Sequence, residues 1–338
     1  MSSGVQVIDL KAELDGQPNY QVILSNANAT VSLFSFGATL QSFVVDMPGF
    51  EKRDIVLGYP DWTSYRHTFD FSGNAYMGNL VGPIAGRIAN ARIPWGAETW
   101  LFEANQGPHL LHGGRQSFSN HNWSLKDTKD TPHPTVTFEL QEKEKFNLPG
   151  MLNCQVTYTL TDTTLEVKIE SRAIENTIAN PTQHGYFNPN GHQGSILDSQ
   201  VLLSAQAYLE LNEEKLPSGV INSIPQKEDA TNRILLADFH LYPQLDTAFV
   251  MNKEQQQVRL EAADGFQLTF LTNQPVFQVY IGGQTPLKGK GQITYHAFSG
   301  ICLEQQAEPD APNHKHFSDI YLSKDQTKVN SLQIQFEQ

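Results

Sequence analysis

Short stretches in which apolar and polar residues alternate recur along this chain, and they restrict its fold more than any other feature. Successive side chains of a β-strand point to opposite faces, so a period of two residues predicts strands with one buried face. Each stretch sets β-branched or aromatic residues against polar ones, at residues 29–34, 135–140, 155–160, 165–170 and 268–271. Sustained helical periodicity is scarce. The sequence therefore predicts an all-β fold of mostly antiparallel strands.

Turn signals separate these stretches. Gly, Pro and Asn supply the backbone conformations that tight turns require. They occur at Met47-Pro48-Gly49, Pro149-Gly150, Asn188-Pro189-Asn190-Gly191, Pro217-Ser218-Gly219 and Asp264-Gly265. Residues 126–134 are typical of a hairpin loop, and residues 61–66 of one short helix with Asp61 as its N-cap. The spacing of strands and turns indicates a large β-sandwich with few short helices.

Length and composition set the scale of the fold. The chain has 338 residues, of which 39% are hydrophobic and 17% charged, as in a soluble globular protein and unlike a disordered one. Length alone leaves the number of domains open, because β-sandwiches often exceed about 200 residues as one unit. The sequence contains no convincing internal repeat, low-complexity tract or long linker. We therefore predict a single domain over residues 1–338.

Charge and cysteine content limit the partners and the compartment. A formal net charge of −13 repels nucleic acid and anionic membranes, which favours a neutral small molecule as ligand. Cys154 and Cys302 both fall in strand-like stretches, which favours two buried free thiols over a disulfide framework. Neither a secretion signal nor a membrane-length apolar segment is apparent. We expect a cytoplasmic protein that is a monomer or a homodimer.

Glu304 closes the apolar run Ile301-Cys302-Leu303 and precedes a turn-rich segment. Burial of an unpaired carboxylate is costly, so an apolar strand rarely accepts Glu unless a partner or a substrate compensates its desolvation. The alternative is a strand-end glutamate at the solvent boundary. In a strand, Cys302 and Glu304 would share one face.

His184 lies between two proline turns, in the polar and aromatic segment 180–189. Taken singly, a histidine beside aromatic residues also fits a hydrogen-bonded place in the core or its rim. Together with an ionised glutamate, it forms an acid and base couple for chemistry that moves two protons. A continuous strand would place Thr182, His184 and Tyr186 on one face, as another would Val276, Gln278 and Tyr280.

These two residues belong to an ordered set of motifs that covers most of the chain. The set consists of Gly78-Asn79-Leu80-Val81-Gly82, Ala85-Gly86-Arg87-Ile88-Ala89-Asn90, Asn105-Gln106-Gly107, Leu111-His112-Gly113-Gly114, His184-Gly185-Tyr186-Phe187-Asn188, Asp246, Gln274-Pro275-Val276-Phe277-Gln278-Val279-Tyr280, Cys302-Leu303-Glu304 and Pro309-Asp310-Ala311-Pro312-Asn313. In this order it resembles the aldose 1-epimerases, or galactose mutarotases. The resemblance implies a β-supersandwich with a concave sugar cleft, and an isomerase that interconverts the anomers of a free aldohexose such as galactose or glucose.

Anomer interconversion requires a proton on the ring oxygen and loss of the proton from the C1 hydroxyl, so that the bond between C1 and the ring oxygen can break. We assign these steps to protonated His184 as general acid and Glu304 as general base. The carboxylate is expected to keep His184 protonated. No cofactor is required. We expect no metal site, because His109 and His112 lack a third ligand at a standard zinc spacing.

The resemblance also implies four substrate-binding residues. It places Arg87, His112 and Asp246 on the sugar hydroxyls and Gln278 near the anomeric end. Planar donors and carboxylates suit vicinal hydroxyls. Taken singly, Arg87 also fits a surface arginine, Asp246 a turn residue and Gln278 a solvated strand position.

Two departures from the family pattern weaken the choice of sugar. Pro83 stands where many members carry an arginine, and Gln244-Leu245-Asp246-Thr247 replaces a Gly-aromatic-Asp-His pattern. Three alternatives stay open. A non-catalytic carbohydrate-binding or sugar-sensing protein needs the hydroxyl-binding groups alone, a hexose-6-phosphate mutarotase needs basic side chains for its phosphate, and a glycosidase would use Asp246 and Glu304 as a carboxylate pair.

Overall fold

The computed structural model describes residues 3–69, 76–141, 146–224, 233–235, 246–254, 256–281 and 286–337. Within these ranges the chain is built from strands joined by turns and 3-10 helices, so the predicted all-β fold is confirmed. In chain order the strands are β1 Gly4–Leu14, β2 Gln17–Ser25, β3 Ala29–Phe34, β4 Thr39–Val45, β5 Arg53–Asp54, β6 Leu80–Val81, β7 Arg87–Ile88, β8 Arg92–Trp95, β9 Glu98–Leu101, β10 Leu110–Leu111, β11 Ser124–Lys129, β12 Thr135–Gln141, β13 Leu152–Leu160, β14 Thr164–Ala173, β15 Thr177–Ile178, β16 Thr182–Gln183, β17 Tyr186–Phe187, β18 Gln200–Leu203, β19 Ala205–Leu211, β20 Pro217–Ser223, β21 Arg233–Leu235, β22 Asp246–Met251, β23 Gln257–Glu261, β24 Gln267–Thr272, β25 Val276–Ile281, β26 Leu287–Lys288, β27 Thr294–Tyr295, β28 Ile301–Gln306, β29 Tyr321–Leu322 and β30 Thr327–Glu337.

The helices of the described ranges are short. They are Trp62–Phe69, Ala89–Ala91, Gly114–Gln116, Phe118–Asn120, Lys290–Gln292 and Ala311–Asn313. The first is the helix predicted near residues 61–66, and Asp61 caps it, because its Oδ1 accepts a hydrogen bond from Ser64 N at 3.0 Å. Among these helices, none has the length and apolar character needed to cross a membrane.

One predicted turn is wrong. Pro217-Ser218-Gly219 begins β20 instead of linking two strands. The turn lies a few residues earlier, where Asn212 Oδ1 accepts hydrogen bonds from the backbone N–H groups of Glu214 and Leu216. An Asn side chain that satisfies its own turn in this way needs no proline.

Three sheets carry most of the strands. A five-stranded sheet has the order β1-β2-β3-β4-β5, a nine-stranded sheet the order β11-β12-β13-β14-β30-β24-β23-β18-β21, and a six-stranded sheet the order β17-β28-β25-β22-β19-β20. Adjacent strands of the six-stranded sheet are antiparallel throughout. β11 and β12 form the hairpin predicted around residues 126–134.

One hydrophobic core joins the three sheets. Phe187 of the six-stranded sheet packs edge-on against Phe270 of the nine-stranded sheet, with ring centroids 4.7 Å apart. Phe43 of the five-stranded sheet packs in the same way against Phe336 of the nine-stranded sheet, at 5.8 Å. β13 buries every second residue, as its alternation predicts. Apolar burial of this kind is the main stabilising contribution to the fold.

β28 is the strand of the six-stranded sheet that carries Glu304, and both of its faces are buried. Leu303 belongs to the core, so Cys302 and Glu304 point to the opposite face. The antiparallel register places Gln278 of β25 opposite Glu304, and Tyr280 opposite Cys302. The predicted shared faces of Cys302 with Glu304, and of Val276 with Gln278 and Tyr280, are therefore confirmed.

The expected shared face of Thr182, His184 and Tyr186 is only partly correct. The chain does not form one strand here, because β16 ends at Gln183 and β17 begins at Tyr186. Thr182 donates a hydrogen bond to Gln305 Oε1, on the side of β28 opposite Glu304. At Gly185 a Cβ atom would lie 2.6 Å from the ring of Phe187, so the interruption requires glycine.

Lys290 is a buried cation that ties the segment between β26 and β27 to the five-stranded sheet. Its Nζ donates hydrogen bonds to Asp54 Oδ2 at 2.6 Å and to the carbonyl oxygens of Gln41 and Val56, both at 2.8 Å. All three ammonium donors are thereby satisfied. Asp54 in turn accepts hydrogen bonds from Ser42 and from the backbone of Phe43.

We expect Lys290→Met to lower the free energy of unfolding by about 3 kcal/mol, because it leaves the partly buried Asp54 carboxylate without its cation. Urea denaturation followed by circular dichroism measures the change. Lys288→Met is the matched control, since Lys288 is exposed in the same hairpin. Equal free energies of unfolding for the two variants would contradict a stabilising role for the Lys290 contacts.

Candidate active site

His184 and Glu304 meet where β17 pairs with β28. His184 lies in the bend that precedes β17, and its Nε2 is 3.4 Å from Glu304 Oε1, with the two side chains 5% and 3% exposed. This burial contradicts the alternative of a glutamate at the solvent boundary. An acid and a base are thus held within reach of each other, away from bulk water.

The protonation of this pair differs from our expectation. Burial is the largest influence on both groups: it lowers the pKa of His184 to about 4 and raises the pKa of Glu304 well above its ordinary value. The predicted effect, a His184 pKa raised by the carboxylate, is therefore outweighed by desolvation. A neutral imidazole beside a protonated carboxyl holds as many protons as an imidazolium beside a carboxylate. The pair therefore titrates as one unit.

Aromatic rings surround the His184 imidazole. Tyr186 stacks on it with ring centroids 5.4 Å apart and an interplanar angle of 30°, and Tyr76 lies at 5.9 Å. Tyr280 packs edge-on against Tyr186. Trp95 and Phe187 lie elsewhere: Trp95 stacks on Tyr321, and Phe187 is in the core.

Arg87, Asp246 and Gln278 form one polar network beside the pair. Gln278 Nε2 donates a hydrogen bond to Asp246 Oδ1 at 2.6 Å, and Arg87 Nη1 lies 3.4 Å from Asp246 Oδ2. Arg87 Nε also donates to Gln106 Oε1 at 2.7 Å. The side chain of Arg87 is 14% exposed, so the alternative of a surface arginine is wrong.

Two buried acceptors of this region have no hydrogen-bond partner among the described residues. They are Glu304 Oε2 and Gln278 Oε1, on directly opposed residues of β28 and β25. An unpaired buried acceptor costs free energy that an approaching donor recovers. Hydroxyl groups of a sugar are donors of the required kind.

His112 is held in one orientation by the backbone around it. Its φ of +51° is rare for histidine, and Gly86 N–H donates a hydrogen bond to its Nδ1 at 3.2 Å. Gly113 follows with a φ of +79°, and a Cβ atom there would lie 2.3 Å from the Gly82 carbonyl oxygen. The glycine pair thus makes the turn that positions His112.

The contact with Gly86 also determines the tautomer of His112. Burial lowers its pKa well below the ordinary value, so the ring is neutral. Because Nδ1 accepts a hydrogen bond, Nε2 carries the proton and acts as a donor. The ring lies edge-on to His184, with centroids 5.3 Å apart.

Histidine and glutamate side chains are common metal ligands. One ligand atom each of His112, His184 and Glu304 lies within 4.8 Å of the others, close enough for one cation. The Gly86 N–H opposes this use, because it occupies Nδ1 of His112 and leaves a proton on Nε2. His109, the other histidine considered, instead lies 3.7 Å from Glu214.

The structure therefore brings together all six residues nominated from the sequence, namely Arg87, His112, His184, Asp246, Gln278 and Glu304. Sequence reasoning did not single out Tyr76 or Gln106. The motif Asn105-Gln106-Gly107 was a signal for Gln106, whereas nothing in the local pattern marked Tyr76. Of the two departures from the family pattern, Pro83 lies against Gly113. The other departure includes Gln244 and Leu245, which lie outside the described residues.

Comparisons with known proteins match the chain over most of its length. A family model described as aldose 1-epimerase matches residues 20–335. The chain is 31% identical over 313 residues to a galactose mutarotase of Mus musculus, covering 88% of both proteins. It is 32% identical over 327 residues to an aldose 1-epimerase of Haemophilus influenzae, covering 89% of this chain and 90% of that protein. The solved galactose 1-epimerase of Lactobacillus acidophilus shares the fold, with a TM-score of 0.84 at 23% identity over 99% of each chain.

Proposed function

Because the chain belongs to the aldose 1-epimerase family of isomerases, we propose that it interconverts the α and β anomers of a free aldohexose such as galactose or glucose. The observation that carries this proposal is the buried pair of His184 Nε2 and Glu304 Oε1, 3.4 Å apart. Burial of two titratable groups costs folding free energy, and groups perturbed in this way cluster at functional sites. A protein that only binds or senses sugar has no need of them.

In this mechanism the imidazolium of His184 gives its Nε2 proton to the ring oxygen while Glu304 takes the proton of the C1 hydroxyl. The bond between C1 and the ring oxygen breaks, and an open-chain aldehyde forms. Rotation about the C1–C2 bond presents the other face of the carbonyl. Ring closure then returns both protons, and each group contributes a factor of about 10²–10⁴ to the rate.

The resting pair reaches this ionised form without gaining or losing a proton. Moving one proton from Glu304 to His184 converts the neutral pair into the ion pair. Arg87 favours this transfer, because its positive charge lowers the pKa of Glu304. A C1 hydroxyl that donates to Glu304 favours the carboxylate for the same reason.

In this proposal the donors and acceptors around His184 and Glu304 bind the sugar. Neutral His112 offers an Nε2–H, Arg87 a guanidinium and Asp246 a carboxylate, which together suit adjacent hydroxyls. Gln278 lies opposite Glu304 in the register, which supports a role for it at the anomeric end. No basic cluster for a phosphate group is present in this set.

Polarimetry of freshly dissolved α-D-galactose and α-D-glucose tests the proposal. We expect the protein to accelerate the change in optical rotation and to release no nitrophenol from a nitrophenyl glycoside. Glucose 6-phosphate, as a third substrate, distinguishes a sugar-phosphate mutarotase. Binding of either hexose in calorimetry without acceleration would support the sugar-sensing alternative.

We also expect a bell-shaped dependence of kcat/KM on pH. A second proton on the pair stops Glu304 from acting as a base, and loss of the shared proton stops His184 from acting as an acid. Initial rates from about pH 4 to about pH 10, corrected for the spontaneous reaction, give both limbs. A flat profile would contradict acid and base catalysis by this pair.

Asp246→Asn is expected to lower kcat/KM by about 10-fold to 100-fold, because the amide accepts weaker hydrogen bonds than the carboxylate. Most of the loss should be in KM. Asp264→Asn is the control, since Asp264 pairs with Arg53 and accepts a hydrogen bond from Phe266 N, neither of which is a site residue. A variant with unchanged KM would remove Asp246 from the sugar site.

Compartment and organisation complete the proposal. Cys154 and Cys302 are both buried and free, as predicted, which fits a reducing compartment such as the cytoplasm. We propose that residues 1–338 act there as a single domain. Limited proteolysis that yields one stable fragment would support this organisation, and two stable halves would contradict it.

A further inference from the structure

Cys302 contacts the ring nitrogen of His184 that does not face Glu304. The distance between Cys302 Sγ and His184 Nδ1 is 3.7 Å, and Cys302 is fully buried. Cys302 stands two residues before Glu304 on the same face of β28. One strand therefore supplies a partner for each nitrogen of the imidazole.

The chemistry of this contact follows from the thiol and its neighbours. Burial raises the pKa of Cys302 well above its ordinary value, so the sulfur keeps its proton and carries no charge. A neutral thiol is a weak acceptor for a ring N–H.

The direction of this contact follows from the proposed reaction. A thiol can either donate to a ring nitrogen or accept from a ring N–H. The imidazolium that acts as the acid carries a proton on both nitrogens, so Nδ1 is then a donor and Cys302 Sγ, 3.7 Å away, is the acceptor.

We propose that Cys302 is a positioning residue that keeps a proton on Nδ1 of His184 through an Nδ1–H to Sγ hydrogen bond, so that the proton exchanged in the reaction is the one on Nε2. This inference rests on the proposed function. The neutral and charged forms of His184 then differ only at the nitrogen that faces Glu304. The ring needs neither rotation nor a change of tautomer between proton transfers.

An uncharged partner suits this position better than a carboxylate. Two carboxylates already lie nearby, and a third negative charge would hold the imidazolium too firmly for it to release its proton. The groups that face His184 are Glu304 and Cys302 from β28, Asp246 from β22, Tyr186 from β17, and Tyr76 and His112 from the adjoining loops. The thiol orients the ring without adding charge to this set.

Cys302→Ala tests the proposal against Cys154→Ala. Cys154 is also fully buried with a raised pKa, but its sulfur lies near Ser171 in the nine-stranded sheet. Without the sulfur acceptor the imidazolium is less favoured. We expect the alkaline limb of the pH profile to move about half a unit to lower pH and kcat to fall by about tenfold, the equivalent of one hydrogen bond. Cys154→Ala should leave both unchanged.

Cys302→Ser separates positioning from packing, because it keeps an acceptor in a side chain of similar size. We expect its alkaline limb to shift by no more than about a quarter of the shift seen with Cys302→Ala. An alkaline limb of Cys302→Ala that coincides with that of Cys154→Ala would overturn the proposal. So would equal shifts in the alanine and serine variants, since these would indicate packing alone.

Nuclear magnetic resonance of ¹⁵N-histidine-labelled, substrate-free protein gives a readout that does not depend on activity. The His184 signal is assigned by its absence from His184→Asn. We expect neutral His184 as the Nδ1–H tautomer in the wild type, with a larger share of Nε2–H in Cys302→Ala. An Nε2–H tautomer in the wild type would overturn the role of Cys302, whereas failure to accelerate mutarotation would overturn the proposed function.

Discussion

Glu304→Gln is expected to lose most of the activity while making the folded protein more stable. Glutamine keeps the size of the side chain and its two polar atoms, but it cannot take the proton of the C1 hydroxyl. We expect kcat to fall by about 10²–10⁴-fold. The same change removes a carboxyl group whose ionised form is disfavoured at a site only 3% exposed.

The gain in stability depends on pH in a direction that the pKa shift defines. Burial raises the pKa of Glu304 in the folded state, so the folded carboxyl holds its proton after the unfolded chain has released its own. The wild type is therefore most stable below the unfolded pKa, and it loses this contribution as pH rises toward the folded pKa. Glutamine does not titrate, so the stability of Glu304→Gln relative to the wild type should increase from about pH 4.5 upward.

Urea unfolding at several pH values, together with polarimetric rates, measures both effects. Glu308→Gln is the matched control, because Glu308 is a buried glutamate next to the same strand that accepts a hydrogen bond from Ser318 N. It should keep the activity and gain no stability. Wild-type kcat in Glu304→Gln would end the assignment of Glu304 as the base, and a loss of stability at neutral pH would show that its burial is compensated.

The strands, and the shared face of Cys302 and Glu304, could be predicted because alternation is a local signature. Alternation within a strand places Cys302 and Glu304 on one face whichever elements pack against that face. The register then brings Gln278 opposite Glu304. The same reasoning was wrong at Thr182, because it assumed one continuous strand. The close approach of Gly185 to the Phe187 ring, which interrupts that strand, is a tertiary contact that no local pattern contains.

Electrostatics was harder to predict than position. A carboxylate near a histidine raises its pKa in water-exposed settings, and this motivated the expectation of a charged His184. The degree of burial decides the outcome, and burial depends on residues from every packed element. Lys290 shows the same limit, since two of its three acceptors are backbone carbonyls of Gln41 and Val56, more than 200 positions away along the chain.

His184→Asn is expected to reduce kcat by about 10²–10⁴-fold, because the amide cannot become a cation that gives a proton to the ring oxygen. It should reduce sugar binding much less, since Arg87, Asp246 and Gln278 stay in place. Polarimetry gives kcat, and calorimetry with galactose gives the dissociation constant. Rates within a factor of about 10 of the wild type would mean that another group supplies the proton.

The acid stability of this variant provides an independent check on the buried pair. With a pKa of about 4 when folded and 6.5 when unfolded, His184 takes up its proton only in the unfolded chain over that interval. The wild type therefore loses stability as pH falls from 6.5 to 4, by up to about 3 kcal/mol from this group. His184→Asn should lack that loss.

His192→Asn is the matched control for both measurements. Burial also lowers the pKa of His192, whose ring hydrogen-bonds to the Tyr295 hydroxyl away from the pair. Its replacement should therefore reduce the loss of stability at acid pH without changing kcat. If His184→Asn kept the full decline in stability between pH 6.5 and 4, the folded imidazole would already be charged there. The resting pair would then be an imidazolium and a carboxylate, with the proton on His184 before substrate arrives.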